Sequence, residues 1–322
     1  MKAAVMHRQG GPEVLCYEDM ADPLPGLDDV LVQVEVVSLE GGDLLNRAML
    51  PGASFPHVVG YQAAGRVAAL GANVTGFIIG QRVAAFNFAG SHAELFAAPA
   101  KTVFAVPDGA DIKVMATMPV TFGTAGEALF EAGKLQPGET VFIQGGAGGV
   151  GIAAIQLAKA AGARVIATAP GAIAAERLQR LGCDHVIHYD RTDFAKEVLS
   201  LTGGKGVDLV VDLVGGDPAA VSKLLSTVAY KGRLAIVGLA SGKAPSVAFW
   251  DMVVRNMTVR GVLFGLEMGT PRGRAIIEAQ FARAARGELT MPIEREFRLS
   301  EAAKAHAFVE AERPLGRVVM IP

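Results

Sequence analysis

Three glycines at fixed spacing carry the strongest chemical signal in the chain. Gly146, Gly148 and Gly151 stand in Gly-x-Gly-x-x-Gly order within GGAGGVG, with Gly149 and Val150 completing the turn. The first glycine lets the main chain turn tightly, the second lets backbone approach a diphosphate, and the third lets a helix pack closely on a strand. Phosphate then meets the helix N-terminus, where free N–H groups and the helix dipole favour negative charge. With 39 glycines in 322 residues the spacing alone recurs by chance, so its context decides. Val141 to Gln144 precede it as a strand, Ile152, Ile155, Leu157 and Ala158 follow at helical spacing, and Arg164 to Ala167 make a second strand. Strand, glycine turn, helix and strand together are the setting of a bound dinucleotide.

The next question is which dinucleotide. A site selective for NAD usually places Asp or Glu about twenty residues past the glycines, on the ribose hydroxyls. Here that strand ends Ala167-Thr168-Ala169-Pro170-Gly171, and the nearest acid is Glu176, inside the following helix. An uncharged strand end around Thr168 leaves room for a 2′-phosphate, and Arg177 or Arg180 can supply charge, although both also suit a solvated helix face. NADPH is the cofactor expected. No Ser-His-Asp, Cys-His or paired-carboxylate arrangement is legible, so the expected chemistry is direct hydride transfer, with the protein orienting the reactants.

The elements that must position these residues fall into three stretches. Residues 1–120 are strand-rich, with KAAVMHR, VLCYEDM, DVLVQVEVVSL, AAGRVAAL, RVAAF and KTVFAVP punctuated by Gly, Pro and Asp. Residues 121–265 alternate strand and helix, which predicts an α/β domain with a doubly wound parallel sheet. Residues 266–322 add a long helix from Pro271 to about Gly287, a strand PIEREFRL, a helix capped by Ser300 and a last strand GRVVMIP, and are expected to return to the first domain. The 51% hydrophobic content supplies ample core. A net charge of −2 without basic blocks argues against nucleic acid. No apolar run suits a signal peptide or a membrane span, and Cys16 and Cys183 stand far apart, so the expected setting is the reducing cytoplasm.

The chain resembles the medium-chain dehydrogenase/reductase superfamily from end to end, and within it the zinc-free quinone oxidoreductase (zeta-crystallin-like) branch. The resemblance rests on PGETVFIQGGAGGVGIAAIQLAKAAGARVIATA, LGCDHVIHY, GVDLVVDLVGG and KGRLAIVGLASG, and on GYQAAGRVAALGANVTGFIIGQRVAAF and GRVVMIP on the other side. It implies a GroES-like β-barrel joined to a Rossmann domain, an active site in the cleft, and a homodimer, formed through TVRGVLF and the preceding VAFWDMVVRNM. It also implies that Thr124, Gly238, Leu239, Leu263 and Phe264 lie at the nicotinamide and that Tyr189 packs at the 2′-phosphate. Where relatives often carry a lysine early in the second helix, this chain has Ala174.

Zinc-dependent members of the superfamily carry a cysteine three positions before an aspartate and a later Gly-His-Glu. The matching segments here are Glu40-Gly41-Gly42-Asp43 and Gly60-Tyr61-Gln62, and Gln81 to Lys101 contains no cysteine. A tetrahedral site needs about three N, S or O protein ligands, so no metal is expected, and lone His57 and His92 suit satisfied polar positions. Without a Lewis acid to hold an alkoxide, reduction of a quinone or an α,β-unsaturated carbonyl fits better than alcohol dehydrogenation. A dinucleotide-binding sensor or structural protein without turnover is the other alternative. Substrate-facing candidates are Glu40, Asp43, Leu45, Leu50, Tyr61 and Phe86. Tyr61 could donate a proton to a developing enolate or simply pack, Glu40 could support the oxidised nicotinamide or be a surface turn residue, and Asp43 could cap a helix.

Overall fold

In the computed structural model the chain is described over residues 1–322 except 50, 53, 244 and 245, which places the candidate Leu50 outside the described residues. It divides into two compact units, Met1–Val120 with Gly265–Pro322, and Thr121–Phe264. Among the described residues no helix is long and apolar enough to cross a membrane.

The second unit is built on six parallel strands, in spatial order His185–His188, Arg164–Ala169, Thr140–Gln144, Val207–Asp212, Val228–Ile236 and Thr258–Gly261. Numbered along the chain this order is 3-2-1-4-5-6, the doubly wound arrangement whose direction reverses beside the first strand. Central strands of such a sheet are covered on both faces and so need continuous apolar runs. Val141, Phe142, Ile143, Leu209, Val210 and Val211 are all fully buried. Helix Gly149–Ala160 buries almost every residue from Gly149 to Ala158, which explains why this segment is apolar all round rather than striped.

The first unit closes a sheet in the order Ile293–Arg298, Arg317–Ile321, Asp29–Leu39, Gln62–Leu70, Arg82–Phe86 and Val103–Ala105, with Leu95–Pro99 also paired to Asp29–Leu39. A smaller sheet holds Leu15–Asp19, Lys2–Met6 and His57–Val58. The last strand runs antiparallel to Asp29–Leu39 with Val318 opposite Leu39, so the final residues fold back onto the first strands of the chain. Val30, Val32, Val37, Ala63, Val83, Phe96 and Val318 form the shared core.

Two local expectations are corrected. Ser300 does not cap the last helix: Leu299–Glu301 forms a short 3-10 turn and helix Ala302–Glu312 begins after it. Asp43 is not a cap either, because helix Gly41–Met49 starts two residues earlier, and its carboxylate reaches back to the Glu40 N–H at 2.7 Å. Thr124 lies in the last turn of helix Ile112–Gly126. That helix contains Pro119, which removes one N–H and crowds the turn before it.

Candidate functional site

The glycine turn joins strand Thr140–Gln144 to helix Gly149–Ala160 at the point where the sheet reverses direction. Two of its glycines are demanded by the chain's own packing. A Cβ on Gly146 would lie 2.8 Å from the Ala167 Cβ, and one on Gly151 would lie 2.3 Å from the Gly145 carbonyl oxygen. Gly148 differs. A Cβ there would meet no atom closer than 3.7 Å, its φ of −76° suits any residue, and it is exposed. Nothing in the polypeptide's own packing requires glycine at this position.

The helix behind the turn is open to a ligand. Its N-cap, Gly148, offers no side-chain cap and its first turn holds no acid, so the leading N–H groups lack the usual internal partners. The same holds for helix Gly171–Arg180, which starts at Pro170 without a side-chain cap and with no acid in its first turn. Helices Phe194–Leu201 and Pro218–Leu225, further along the unit, are capped by Asp193 and Asp217. The two uncapped ends follow the first and second strands, where a dinucleotide diphosphate and a ribose phosphate belong.

Thr168 is buried, and its hydroxyl accepts the Gly145 N–H at 2.9 Å while its carbonyl accepts Gly146 N–H at 2.9 Å. Its part is to fix the turn. Arg177 and Arg180 are exposed on helix Gly171–Arg180, with Arg180 paired to Glu176, and Tyr189 follows the third strand, 45% exposed. Gly238 is held by a close approach, since a Cβ there would lie 2.3 Å from the Leu213 carbonyl oxygen. Leu239 and Leu263 are exposed, whereas Phe264 is buried with its ring against Gly123, beside half-buried Thr124. At the end of the fourth strand Asp212 accepts the N–H groups of Val214 and Gly215, and burial pushes its carboxyl up.

In the first unit, Glu40, Asp43, Tyr61 and Gln62 are brought together. Glu40 is 4% exposed, which removes the surface-turn reading. Its Oε1 accepts from Ser38 Oγ at 2.8 Å and Gln62 Nε2 at 2.6 Å, and pairs with the Arg317 guanidinium at 2.5 Å. Strand pairing places Val318 opposite Leu39, so Arg317 falls opposite Glu40. Gln62 spends its other capacity on helix Ile112–Gly126: Nε2 donates to the Thr117 carbonyl at 3.2 Å and Oε1 accepts the Val120 N–H at 2.9 Å. These are groups flanking Pro119, so the side-chain amide stands in for helix bonds that the proline disturbs. Asp43 is fully buried, and burial, with Glu40 close by, pushes its carboxyl well above the ordinary range.

Tyr61 lies over the start of helix Gly41–Met49. A Cβ on Gly42 would fall 2.4 Å from Tyr61 Cε2, so only glycine admits the ring. Burial, with the charges of Asp43 and Glu40, pushes the phenol up. Tyr61, Phe86 and Phe88 form a run of rings, with centroids 6.2 Å and 5.2 Å apart. Phe86 is buried and Phe88 is half exposed. Leu45 is half-buried on the same helix.

Sequence reasoning missed Arg317. Arg317 left one trace, an arginine opening the otherwise apolar strand RVVMI. Zinc does not fit these residues. Glu40 is already held by an arginine and Gln62 by the helix backbone, and among the described residues no group of three or more His, Cys, Asp or Glu side chains is placed to hold a metal ion.

Comparison with known proteins adds the remaining findings. Residues 26–108 match the alcohol dehydrogenase GroES-like domain and residues 149–278 match the zinc-binding dehydrogenase domain. The chain is 33% identical to 2-haloacrylate reductase of Burkholderia sp, covering 99% of this chain and 98% of that protein. It is 34% identical to quinone oxidoreductase of Pseudomonas aeruginosa, covering 97% of each. Among solved structures, Escherichia coli quinone oxidoreductase complexed with NADPH superposes with a TM-score of 0.94 at 25% identity, covering both chains completely.

Proposed function

The chain belongs to the medium-chain dehydrogenase/reductase superfamily, and from that membership we propose that it is an NADPH-dependent reductase of quinones and α,β-unsaturated carbonyl compounds. The observation that carries the cofactor half is Gly148, a glycine that the polypeptide's own packing does not need. Bound NADPH supplies the hydride; the residues of the chain bind, orient and protonate.

Gly146 and Gly151 shape the turn, and Gly148, Gly149 and Val150 offer main-chain N–H groups to the diphosphate. Arg177 and Tyr189, with the uncapped start of helix Gly171–Arg180, take the 2′-phosphate. Thr168 holds the turn in place. Thr124, Gly238, Leu239, Leu263 and Phe264 shape the nicotinamide end. On the substrate side the Tyr61, Phe86 and Phe88 rings suit a flat conjugated acceptor, and the Tyr61 hydroxyl is the proton donor. Glu40 and Asp43 serve by fixing the main chain and the Arg317 cation around it. The substrate class agrees with the names of the relatives, a quinone oxidoreductase and a 2-haloacrylate reductase.

The test is NADPH and NADH oxidation, side by side, over quinones, enones and 2-haloacrylates. The expected result is kcat/KM at least about tenfold higher with NADPH, a preference near 1.4 kcal/mol, and turnover unmoved by chelators. Activity lost on chelation, or tight NADPH binding with no acceptor reduced, would sink the reading.

We also propose a cytoplasmic homodimer. Strand Thr258–Gly261 is the edge of its sheet, and helix Phe249–Val253 just before it exposes Phe249 (75%) and Trp250 (69%). Large exposed apolar groups beside an open strand edge are an association surface. Trp250→Glu is expected to yield a monomer in sedimentation velocity, while an unchanged sedimentation coefficient would place the interface elsewhere.

A further inference from the structure

We propose that Phe88 and Gly265 set the size of the acceptor: Phe88 receives the second ring of a fused-ring quinone, and Gly265 leaves the space in which the Phe88 ring stands. The inference rests on the reductase reading above and names the residues that choose among its acceptors.

Strand pairing brings the rings into a row. Gln62 lies opposite Phe86, and the Asn87 N–H donates to the Tyr61 carbonyl at 2.8 Å, so Tyr61 and Phe86 are diagonal neighbours across two strands. Phe88 follows two residues on. Asn87 pins it there: its Oδ1 accepts the Phe88 N–H at 2.9 Å, and its Nδ2 donates to the Ala97 carbonyl at 3.1 Å. The Phe86 and Phe88 rings meet close to a right angle, 75° between planes and 5.2 Å between centroids. Both rest on Gly265, the middle residue of the 3-10 turn Phe264–Leu266. A Cβ on Gly265 would fall 3.0 Å from Phe86 Cζ and 3.3 Å from Phe88 Cε1.

A lone exposed apolar side chain is ordinary surface. Phe88 is exposed in a different setting. Its backbone is pinned, its ring sits on a glycine, and Leu266 beside that glycine is exposed as well. Along the row, half-buried Tyr61 and buried Phe86 come first, and Phe88 is the outermost ring. Perpendicular rings form a corner. A flat molecule lying on one of them turns its edge to the other, and these are the two arrangements that aromatic pairs favour. An acceptor that takes its proton from Tyr61 covers Phe86 with a single ring. A second, fused ring extends along the row to Phe88. A naphthoquinone therefore gains a contact that a benzoquinone lacks.

The experiment follows NADPH oxidation with 1,4-benzoquinone, 1,4-naphthoquinone and 2-cyclohexenone, with the uncatalysed rate subtracted. It compares wild type, Phe88→Ala, Phe88→Leu, Phe88→Trp, Gly265→Ala and the Phe88→Ala/Gly265→Ala double variant. Thermal melts confirm folding, and KM for NADPH is read beside kcat/KM for each acceptor. The deciding quantity is the ratio of kcat/KM for the naphthoquinone to that for the benzoquinone. Phe88→Ala is expected to lower this ratio about tenfold, through the lost stack and the area it covers. Phe88→Trp should keep the ratio and Phe88→Leu should lose most of it, because a ring face is what the contact needs. Gly265→Ala should lower it too, since buried Phe86 is held by its packing and half-exposed Phe88 must move. The double variant should fall no further than Phe88→Ala, because both changes act through one ring. KM for NADPH should stay put throughout. An unchanged ratio in Phe88→Ala, a wild-type ratio in Phe88→Leu, or additive falls in the double variant each overturn the inference while leaving the reductase standing. Should Gly265→Ala fail to fold, the Phe88 series still decides. Wild type that reduces cyclohexenone but neither quinone overturns this inference alone, and wild type that reduces none of the three overturns both.

Discussion

Gly148→Val is expected to weaken NADPH binding about 100-fold while leaving the fold intact, and Gly151→Val to destabilise the fold instead. At position 148 the new side chain meets no atom within 3.7 Å of its Cβ and the backbone is already extended, so the melting temperature should move by less than the usual scatter of surface substitutions. The branched side chain would instead occupy the ground a diphosphate needs to reach the leading N–H groups of helix Gly149–Ala160. Loss of those bonds to a doubly charged group is worth about 2.8 kcal/mol or more, about a 100-fold rise in Kd. At position 151 the Cβ would sit 2.3 Å from the Gly145 carbonyl oxygen and 2.7 Å from the Gly146 Cα. Backbone on both sides cannot yield, so helix and strand must separate at a cost of about 3 kcal/mol. Isothermal titration with NADPH, read beside a chemical denaturation curve, separates the two. Unimpaired NADPH binding by Gly148→Val would show that the turn is not the diphosphate site.

The contrast between these glycines marks what sequence could and could not supply. The motif names three glycines alike, because each is the residue that tolerates a close neighbour. Only coordinates reveal that two of them are crowded by the protein itself and the third is not. The strand-helix alternation of the second unit was equally legible, since buried parallel strands must be apolar throughout and Val141 to Ile143 and Leu209 to Val211 are. The first unit was legible as strands but not as a site. Glu40, Gln62 and Arg317 are polar residues separated by up to 277 positions, and their meeting depends on a C-terminal strand pairing with Asp29–Leu39. Local propensity contains no trace of such a pairing. Ser300 and Asp43 mislead for one reason: residue type and immediate neighbours suggest a helix start at each, while the helix boundary is set by the turn and strand that precede it.

His92 extends that lesson into a prediction about acid. A lone histidine in sequence, it is buried in a chain of four polar side chains. Arg47 Nη1 donates to His306 Nδ1 at 3.0 Å, His306 Nε2 meets His92 Nε2 at 3.1 Å, and His92 Nδ1 meets Ser91 Oγ at 3.4 Å. Arg47 also donates to the Gly10 carbonyl and pairs with Glu310. Because the guanidinium can only donate, His306 Nδ1 must accept, so its Nε2 carries the proton and His92 Nε2 accepts in turn. Both imidazoles are therefore neutral in the fold. Burial pushes His92 down to about 3, and burial with His92 and the Arg47 charge pushes His306 well below its ordinary value.

Unfolding frees both rings to ionise near 6.5, so the unfolded chain binds more protons below that pH. Stability contributed by the pair is complete above about pH 6.5 and is lost as pH falls, with a slope of about 1.4 kcal/mol per pH unit for each proton. Asp43 and Asp212 act oppositely, since burial raises both carboxyls and the folded state takes their protons first. The raw pH profile therefore mixes signs, and the difference between two proteins isolates the histidines. His92→Gln removes one of the rings that must stay neutral. At pH 7.5 it should be less stable than wild type, because a chain of buried hydrogen bonds is broken. Between pH 6.5 and 4.5 the gap should shrink by about 1.4 kcal/mol per pH unit, measured by urea denaturation at each pH. A gap that holds constant over that range would mean that His92 is already charged in the folded protein, which the Arg47-directed proton order forbids.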